Sequence, residues 1–317
     1  MPDWALPVII ISSVVILLAI ILFLVVPYIC YKIAFYVSDL EKVKNYNFNY
    51  PLDKLYAPYM GKMNEYVEKA KELPHEEHCI TSFDGLKLYA KFFECKKGAK
   101  IEIMMPGYRG NAERDLSGGI ERAFAVGHSV LLVDQRASGK SEGNIISFGI
   151  NERKDCLKWI NYVIENIDQN AQIILTGVSM GAATVLMTAG EKLPKNVIGV
   201  LADCGYSTPK EIIKLYTKRM KLPPTLMYPF VKLSARIYAK FNLSEASPIE
   251  AIKKSNLPII FYHGDNDNFV PHYMSEKMYE VYQNKKRLVS IHGAGHGLAY
   301  VVDSELYIKE LKEFFNE

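Results

Sequence analysis

Short apolar runs recur along the chain from Glu77 onward, and they alternate with stretches that have helical periodicity. The runs are KIEIMMPG, SVLLVDQR, QIILTGVS, VIGVLADCG, PIIFYHG and RLVSIHG. Runs of this length, flanked by glycine, are typical of strands buried on both faces, and such strands form parallel sheets. A hairpin is predicted before them, around Phe83-Asp84-Gly85. The pattern predicts one α/β domain with helices on both faces of a mostly parallel sheet.

The N-terminal segment has a different character, because residues 1–31 contain a single charged side chain, Asp3. Residues 8–26 form a run of 19 in which only Ser12 and Ser13 are not apolar. A helix of this length crosses the roughly 30 Å hydrocarbon core of a membrane. A cleaved signal peptide has basic residues before the run and a small-residue cleavage site after it, and the sequence has neither. We therefore expect a membrane anchor rather than a signal peptide or a buried core helix.

These patterns divide the chain into three parts. We expect a transmembrane anchor in residues 1–31, a connector in residues 32–76 and the α/β domain in residues 77–317. Residues 206–247 interrupt the alternation, since they contain no buried strand run. They are expected to form helical pieces, cut at prolines that include Pro229, as a cap over the functional site. Apolar residues of this cap are expected to line an acyl pocket: Leu226, Met227, Phe230 and Leu233.

The charge of the predicted cap is lopsided. It carries eight Lys and Arg against two Glu, whereas the whole chain has a net charge of only +3. The cap is therefore either an ordinary solvated helix surface or a basic lid that touches anionic lipid or an anionic substrate. A net charge this small does not indicate nucleic-acid binding. The five cysteines are widely spaced, with no CxxC and no Cys/His cluster, so neither a zinc site nor a disulfide framework is predicted.

The strongest local signal is Gly177-Val178-Ser179-Met180-Gly181, which lies between a predicted strand and a predicted helix. In that context G-x-S-x-G is typical of a nucleophile elbow, a sharp turn that exposes a strained serine. Side chains at either glycine would collide with the neighbouring strand and helix. The helix N-terminus behind the serine offers a positive potential to a developing oxyanion. Ser179 is thus the predicted nucleophile.

A serine hydroxyl needs a base, and the base needs an acid to orient it. In chain order the acid and then the histidine are expected to follow the serine. His296 lies in a glycine-rich loop after the last strand and is preferred to His292, which ends that strand. Asp267 is preferred to Asp265, because it lies farther along its loop and is able to turn back toward the histidine. Asp265 is expected to fix the loop instead.

Two backbone amides are expected to form the oxyanion hole. One is the amide of Met180, directly after the nucleophile, and the other is the amide of Tyr108, which follows the first parallel strand. The Tyr108 side chain is not required for this role.

In their chain order these residues resemble the α/β-hydrolase family, in particular its bacterial-type esterases, lipases and serine aminopeptidase-like enzymes. The resemblance covers roughly residues 77–315 and includes a segment similar to the family's D-x-R-x-x-G-x-S-x-G pattern, which begins at Asp134. It implies the α/β-hydrolase fold. Two residues depart from the family pattern, since Pro106 stands where a histidine usually precedes the oxyanion glycine, and Ser138 stands at another frequent histidine position.

The function expected from the sequence is a membrane-anchored serine hydrolase that cleaves carboxylic esters through an acyl-enzyme, without a cofactor or metal. Its expected partners are a small-molecule acyl ester, with lipids among the candidates, and the membrane itself. An aminopeptidase, a thioesterase or acyltransferase, and a non-catalytic interaction protein stay open as alternatives. An aminopeptidase needs an acid near the cap to hold the substrate ammonium, and the cap is basic.

The distribution of lysines predicts the orientation of the chain in the membrane. No Lys or Arg precedes the apolar run, whereas Lys32, Lys42 and Lys44 follow it. Basic residues near a membrane span favour the cytoplasmic side. The catalytic domain is therefore expected in the cytoplasm, although the triplet that begins at Asn242 matches a glycosylation sequon.

Overall fold

A central sheet organises the protein, whose computed structural model describes residues 2, 4–46 and 54–316. Its strands are β1 Glu76–Thr81, β2 Lys87–Phe93, β3 Ile101–Met105, β4 Ser129–Val133, β5 Ile173–Val178, β6 Val197–Asp203, β7 Ile259–Gly264 and β8 Lys286–Ile291. They are ordered β1-β2-β4-β3-β5-β6-β7-β8. The hairpin β1–β2 adds antiparallel to β4, and the six strands from β4 to β8 pair in parallel. The predicted mostly parallel sheet is confirmed.

Helices cover both faces of this sheet, as predicted. One face packs against Glu152–Tyr162, Met180–Thr188 and Tyr273–Val281, with the fully buried Trp159 among the side chains at its core. The other face packs against Ala112–Ala125, Ala299–Val302 and Ser304–Phe315. β3 and β4 are buried along their whole length, because both of their faces are covered by helices. The carboxyl ends of the parallel strands lie at one edge, where the loops that carry the candidate residues meet.

The N-terminal segment is one helix, Ala5–Ala34, which is long and apolar enough to cross a membrane. By length and composition alone, such a helix fits a membrane span or a signal sequence. It runs through Pro27, whose ring would strike the carbonyl of Phe23 in an ordinary α-helix. A π turn at Ile21–Val25 contains that carbonyl and accommodates the ring. The helix ends three residues beyond the boundary predicted at residue 31.

The chain that leaves this helix is fixed to the α/β domain. Phe35 is fully buried between Phe148 and Phe241, and the backbone of Val37 donates a hydrogen bond of 2.8 Å to Asn144 O. The helix Asp39–Tyr46 follows. Residues 47–53 of the predicted connector lie outside the described residues. The connector then forms the turn Ala57–Tyr59 and the helix Met60–Glu72, which packs against Ala112–Ala125.

The insertion, residues 206–247, lies between β6 and β7 and contains two helices, Pro209–Arg219 and Pro224–Ile237. The expected break at Pro229 is wrong, because this proline lies inside the second helix. A proline inside a helix loses one hydrogen bond, but this helix buries Val231, Ser234 and Ala235, and that packing holds it together. The short helix Pro248–Ile252 returns the chain to the sheet. Domain boundaries drawn from the sequence stay predictions.

Candidate active site

The turn between β5 and the helix Met180–Thr188 holds Ser179 in a strained backbone conformation. Its φ is +57° and its ψ is −115°, a combination that residues with a side chain rarely adopt. A Cβ added at Gly177 would lie 2.2 Å from the Gly181 carbonyl carbon, and one at Gly181 would lie 1.9 Å from Met105 O. Both glycines are therefore required by close backbone approach, as the sequence motif predicts.

Replacing Gly181 with alanine is expected to destabilise the protein strongly. The added methyl group meets backbone atoms of Met105 and Pro106, which cannot move without shifting β3. We expect a loss of about 3 kcal/mol in the free energy of unfolding, the upper end of the range for overpacking. Gly61→Ala is the matched control, because it lies in a helix with open space around it, and it should stabilise by about 0.5–1 kcal/mol. Urea denaturation of both variants would contradict this account if Gly181→Ala were as stable as wild type.

Ser179, His296 and Asp267 form a continuous hydrogen-bond chain, although they are far apart in sequence. His296 Nε2 lies 2.8 Å from Ser179 Oγ, and His296 Nδ1 lies 2.7 Å from Asp267 Oδ2. β5, β7 and β8 are in parallel register, so the loops after these strands bring the three side chains together. This is the geometry of a nucleophile, a base and an orienting acid.

Several groups besides His296 bind the Asp267 carboxylate. Its Oδ1 accepts hydrogen bonds from the amides of Phe269 (2.7 Å) and Val270 (2.8 Å), and its Oδ2 lies 3.2 Å from His263 Nε2. Burial alone would raise the pKa of the Asp267 carboxyl. The charge of His296 and the hydrogen bonds from His263 and His296 outweigh burial and hold that pKa well below its usual value. The carboxylate therefore stays ionised and is available to orient the His296 ring through Nδ1.

His292 and Asp265, the residues not preferred as base and acid, form a hydrogen bond with each other. His292 Nδ1 lies 2.8 Å from Asp265 Oδ2, and the Gly293 amide donates 2.7 Å to Asp265 Oδ1. The His292 side chain is fully exposed. Asp265 thus ties two loops together at the surface, while Asp267 reaches His296.

Of the two predicted amide donors, Met180 begins the helix that follows Ser179, and Tyr108 lines the same two cavities as Ser179. Among the described residues, neither backbone amide donates to a protein acceptor. A Cβ on Gly107 would lie 3.6 Å from Ser179 Cβ, so the loop after β3 passes beside the nucleophile. Gln135 Nε2 donates 2.7 Å to Pro106 O, and Ser138 donates to Gly110 O. Pro106 and Ser138, the two positions that depart from the family pattern, therefore both take part in hydrogen bonds that hold this loop in place.

The same loop is attached to the end of the N-terminal helix, which sequence reasoning did not anticipate. Tyr108 Oη donates 2.9 Å to Ala34 O. Arg109, at a positive φ of 53°, donates 2.9 Å to Tyr36 O and 3.0 Å to Ile33 O, and it pairs with Glu41. A cation at a helix C-terminus is favourable, because it satisfies the last carbonyls. The side chains of Tyr108 and Arg109 thus fix the position of the loop after β3.

A buried acid, Asp203, lies at the end of β6 beside Ser179. Its carbonyl accepts 2.8 Å from the Ser179 amide, and its Oδ2 accepts 3.0 Å from Tyr307 Oη. Its Oδ1 has no partner among the described residues. Burial raises the pKa of Asp203 to about 6. An acid at the end of the run VIGVLAD was the signal that could have singled it out.

Asp203→Asn is expected to change the pH dependence of stability. The pKa of Asp203 is raised in the folded state, so the folded state binds a proton more tightly than the unfolded state. Its burial therefore destabilises the protein above about pH 6 and does so progressively less as the pH falls toward 4. The asparagine side chain keeps the hydrogen bond from Tyr307 without the charge. The variant should have a higher Tm than wild type at pH 8 and about the same Tm at pH 4.5. If the difference in Tm between the variant and wild type were the same at pH 8 and pH 4.5, this account of Asp203 would be contradicted.

Two cavities meet at Ser179. The first has a volume of about 520 Å³ and is almost entirely apolar, with walls from the insertion and from the N-terminal helix. The second, of about 440 Å³, is more polar and contains His296, Tyr56 and Asp115. Of the four expected pocket residues, Met227 lines the apolar cavity and Leu226, Phe230 and Leu233 do not. The expectation was wrong for those three: Leu226 is 62% exposed, and Phe230 packs against the same buried cluster as Met227 without lining the cavity.

One group of possible metal donors occurs among the described residues, formed by Cys204, Asp267 and His296. Two of them are already bonded to each other in the chain from Ser179. Cys204 is buried, and burial raises the pKa of its thiol well above the usual value. Since the thiolate is the form that binds metals, this environment disfavours a metal site.

The sequence is similar to those of several known proteins. Two relatives by sequence are uncharacterised proteins. YqkD of Bacillus subtilis is 27% identical over 192 residues, covering 60% of this chain and 63% of its own length, so the chain spans less than two thirds of that protein. YfhR of Escherichia coli K12 is 26% identical over 279 residues, covering 85% of this chain and 86% of its own length.

Solved structures share the fold. The Pyrococcus furiosus esterase Pf2001 aligns with a TM-score of 0.62 at 24% identity, covering 78% of this chain and 92% of its own. The Exiguobacterium antarcticum esterase EaEST aligns at 0.56 and 20%, covering 75% and 99%. Mouse alpha/beta hydrolase domain-containing protein 10 aligns at 0.56 and 19%, covering 76% and 98%. These neighbours confirm the α/β-hydrolase fold.

The family model that matches this chain is that of the prolyl oligopeptidase family, and it covers residues 146–317. That range is more than half of the chain and contains Ser179, Asp267 and His296. The chain has the α/β-hydrolase fold and belongs to the prolyl oligopeptidase family.

Proposed function

We propose that this protein is a membrane-anchored serine hydrolase that cleaves carboxylic esters with an apolar acyl group. The observation that carries the proposal is the hydrogen-bond chain Ser179–His296–Asp267, which opens directly onto the apolar cavity. Ser179 is the nucleophile, His296 the general base and acid, and Asp267 the orienting acid.

The reaction follows from these roles. Ser179 Oγ attacks the acyl carbonyl while His296 Nε2 takes its proton, and Asp267 stabilises the resulting imidazolium. The negative charge that develops on the carbonyl oxygen is stabilised by the amides of Tyr108 and Met180. His296 then protonates the leaving alcohol, and an acyl-enzyme remains. Water activated by His296 releases the acid and regenerates Ser179.

Peptide hydrolysis is the second candidate, because the matching family is named for peptidases. An aminopeptidase site would need an acid with a free carboxylate to hold the substrate ammonium. Asp115 is the acid that lines the polar cavity beside Ser179. Its oxygens already accept hydrogen bonds from the Gly107 amide (3.0 Å) and from Arg114 (2.7 Å). This arrangement favours an ester over a peptide with a free N-terminus.

A fluorophosphonate probe and a substrate panel test the proposal. We expect the probe to label the wild-type protein and not Ser179→Ala. The panel compares 4-nitrophenyl esters of increasing chain length with aminoacyl 4-nitroanilides. Hydrolysis of the esters with no cleavage of the anilides supports the proposal. Preferential cleavage of the anilides would assign the site to peptides instead, and an unlabelled wild-type protein would leave only a binding role.

The expected orientation is a single span with the hydrolase domain in the cytoplasm. The helix Ala5–Ala34 has no basic residue on its N-terminal side and has Lys32 in its last turn. By the distribution of basic residues, the C-terminal side then faces inward. Protease added to intact cells should leave the domain undigested until the membrane is permeabilised. Digestion without permeabilisation, or glycosylation at Asn242, would reverse the assignment.

A further inference from the structure

We propose that the N-terminal helix is a wall of the acyl-binding cavity as well as an anchor, and that the substrate is a long-chain acyl lipid that enters from the membrane. This rests on the ester hydrolase activity proposed above. Val26, Ile29, Cys30, Ile33 and Ala34 line the 520 Å³ cavity that also contains Ser179. A volume of this size is within the range of about 300–1,000 Å³ that is usual for ligand pockets.

The burial pattern of the helix places this wall at the membrane surface. The segments Ala5–Ile20 and Ile21–Val25, of 16 and 5 residues, contain no buried side chain. At about 1.5 Å per residue they extend roughly 32 Å, close to the thickness of ~30 Å of a hydrocarbon core. Burial begins at Pro27 and Cys30. The cavity therefore lies at the level where the helix leaves the lipid.

The opposite wall of the cavity ends in an apolar tip. Met220 and Leu222 line the cavity and are 52% and 41% exposed. Leu226, one turn farther along, is also exposed, and Lys218 and Lys221 flank the group. Exposed apolar residues beside lysines are typical of a segment that rests on an anionic membrane surface. This favours the lipid-contacting alternative for the basic insertion.

The second insertion helix holds this tip against the N-terminal helix. The two helices are packed together. Beyond the end of the second insertion helix, Tyr238 Oη donates 3.0 Å to Leu24 O, and its ring lies 5.4 Å from that of Tyr28. These contacts join the insertion to the N-terminal helix at Leu24 and Tyr28, close to the end of its unburied segment, and we place the entrance to the cavity at this level. An acyl chain that enters from the bilayer at this level would reach Ser179 along the apolar cavity.

The two cavities at Ser179 separate the two parts of such a substrate. The apolar cavity accommodates the acyl chain, and the polar cavity, which contains His296 and Tyr56, is on the leaving-group side. Tyr108 lines both cavities and is bonded to Ala34 O at the end of the helix. This hydrogen bond therefore fixes the position of the helical wall relative to the oxyanion loop after β3. The substrate class is an ester of one long acyl chain with a polar alcohol.

The test uses the full chain in phosphatidylcholine vesicles with two probes, 4-nitrophenyl acetate and vesicle-borne 4-nitrophenyl palmitate. Ile33→Trp fills the cavity from the helix side, and Met220→Trp fills it from the insertion side. We expect each to lower the palmitate-to-acetate ratio of kcat/KM at least tenfold. Leu22→Trp is the matched control, because Leu22 is exposed on the same helix and does not line the cavity, and its ratio should stay within twofold of wild type.

The outcomes separate this inference from the activity on which it rests. Fluorophosphonate labelling of Ser179 identifies the variants that are folded, and if one tryptophan variant fails to fold, the other decides. An unchanged ratio in a folded variant overturns the inference. Wild-type protein that hydrolyses acetate but not palmitate also overturns it and leaves the ester hydrolase proposal intact. Protein that is not labelled and cleaves neither ester overturns the proposed activity itself.

Discussion

Ser179→Ala is expected to abolish ester hydrolysis, with a loss of about 10⁵–10⁶-fold in kcat, as when a triad nucleophile is removed. The substitution deletes the oxygen that lies 2.8 Å from His296 Nε2. It adds no atom, and Ser179 makes no other side-chain hydrogen bond among the described residues. Folding should therefore be unaffected, with a Tm close to that of wild type.

The matched control for this variant is Ser290→Ala. Ser290 Oγ also lies 2.7 Å from a histidine nitrogen, His272 Nε2, but at the exposed edge of the sheet on β8. It should retain full activity and full fluorophosphonate labelling. Steady-state turnover of 4-nitrophenyl acetate by both variants is the measurement. Residual turnover by Ser179→Ala above about one part in a thousand would mean that another group performs the attack.

The sheet and the residues at its carboxyl edge were predictable because their sequence signals are local. A strand buried on both faces needs an uninterrupted apolar run, and the sharp turn at Ser179 needs glycine on both sides. The alternation of such runs with helices then determines the fold class. For the same reason, the preference for Asp267 over Asp265 followed from loop length, and the structure places Asp267 2.7 Å from His296.

The contacts between distant segments were not predictable from local patterns. Nothing near Arg109 in sequence indicates that it binds Ile33 O in the last turn of a helix, and Tyr36 O just beyond that helix, more than seventy residues earlier. His263 ends an apolar run, and its contact with Asp267 depends on how the loop after β7 folds back. Helix rotation decided the cavity lining, since Met227 and Leu226 are adjacent in sequence but face different surroundings.

Pro229 and the N-terminal helix are two further cases in which packing between distant segments decides what local patterns do not predict. Proline usually ends a helix, and local propensity therefore predicts a break at Pro229. Packing of the insertion helix against the N-terminal helix overrides that propensity. The apolar run of residues 8–26 predicts a span, but only the fold shows that the next turns of the same helix line a cavity at Ser179.

Asp267→Asn is expected to lower kcat by about 10³–10⁴-fold, as for other triads in which an amide replaces the acid. The amides of Phe269 and Val270 both donate to Oδ1 and would keep the asparagine carbonyl oxygen at that position. Its NH₂ group would then occupy the Oδ2 position and face His296 Nδ1. That forces His296 into the tautomer with its proton on Nε2, which cannot accept the proton of Ser179.

Asp265→Asn is the matched control two residues away. It loses a surface contact with His292 and weakens one with the Gly293 amide, so kcat should stay close to that of wild type, because neither contact involves Ser179 or His296. The two variants are compared by kcat on 4-nitrophenyl acetate and by the rate of fluorophosphonate labelling, which reports the nucleophilicity of Ser179 directly. Asp267→Asn should be slow in both assays while its Tm changes little. If Asp265→Asn proved the more damaging variant, Asp265 would be the acid of the triad, and the hydrogen bond that His296 donates to Asp267 would be structural.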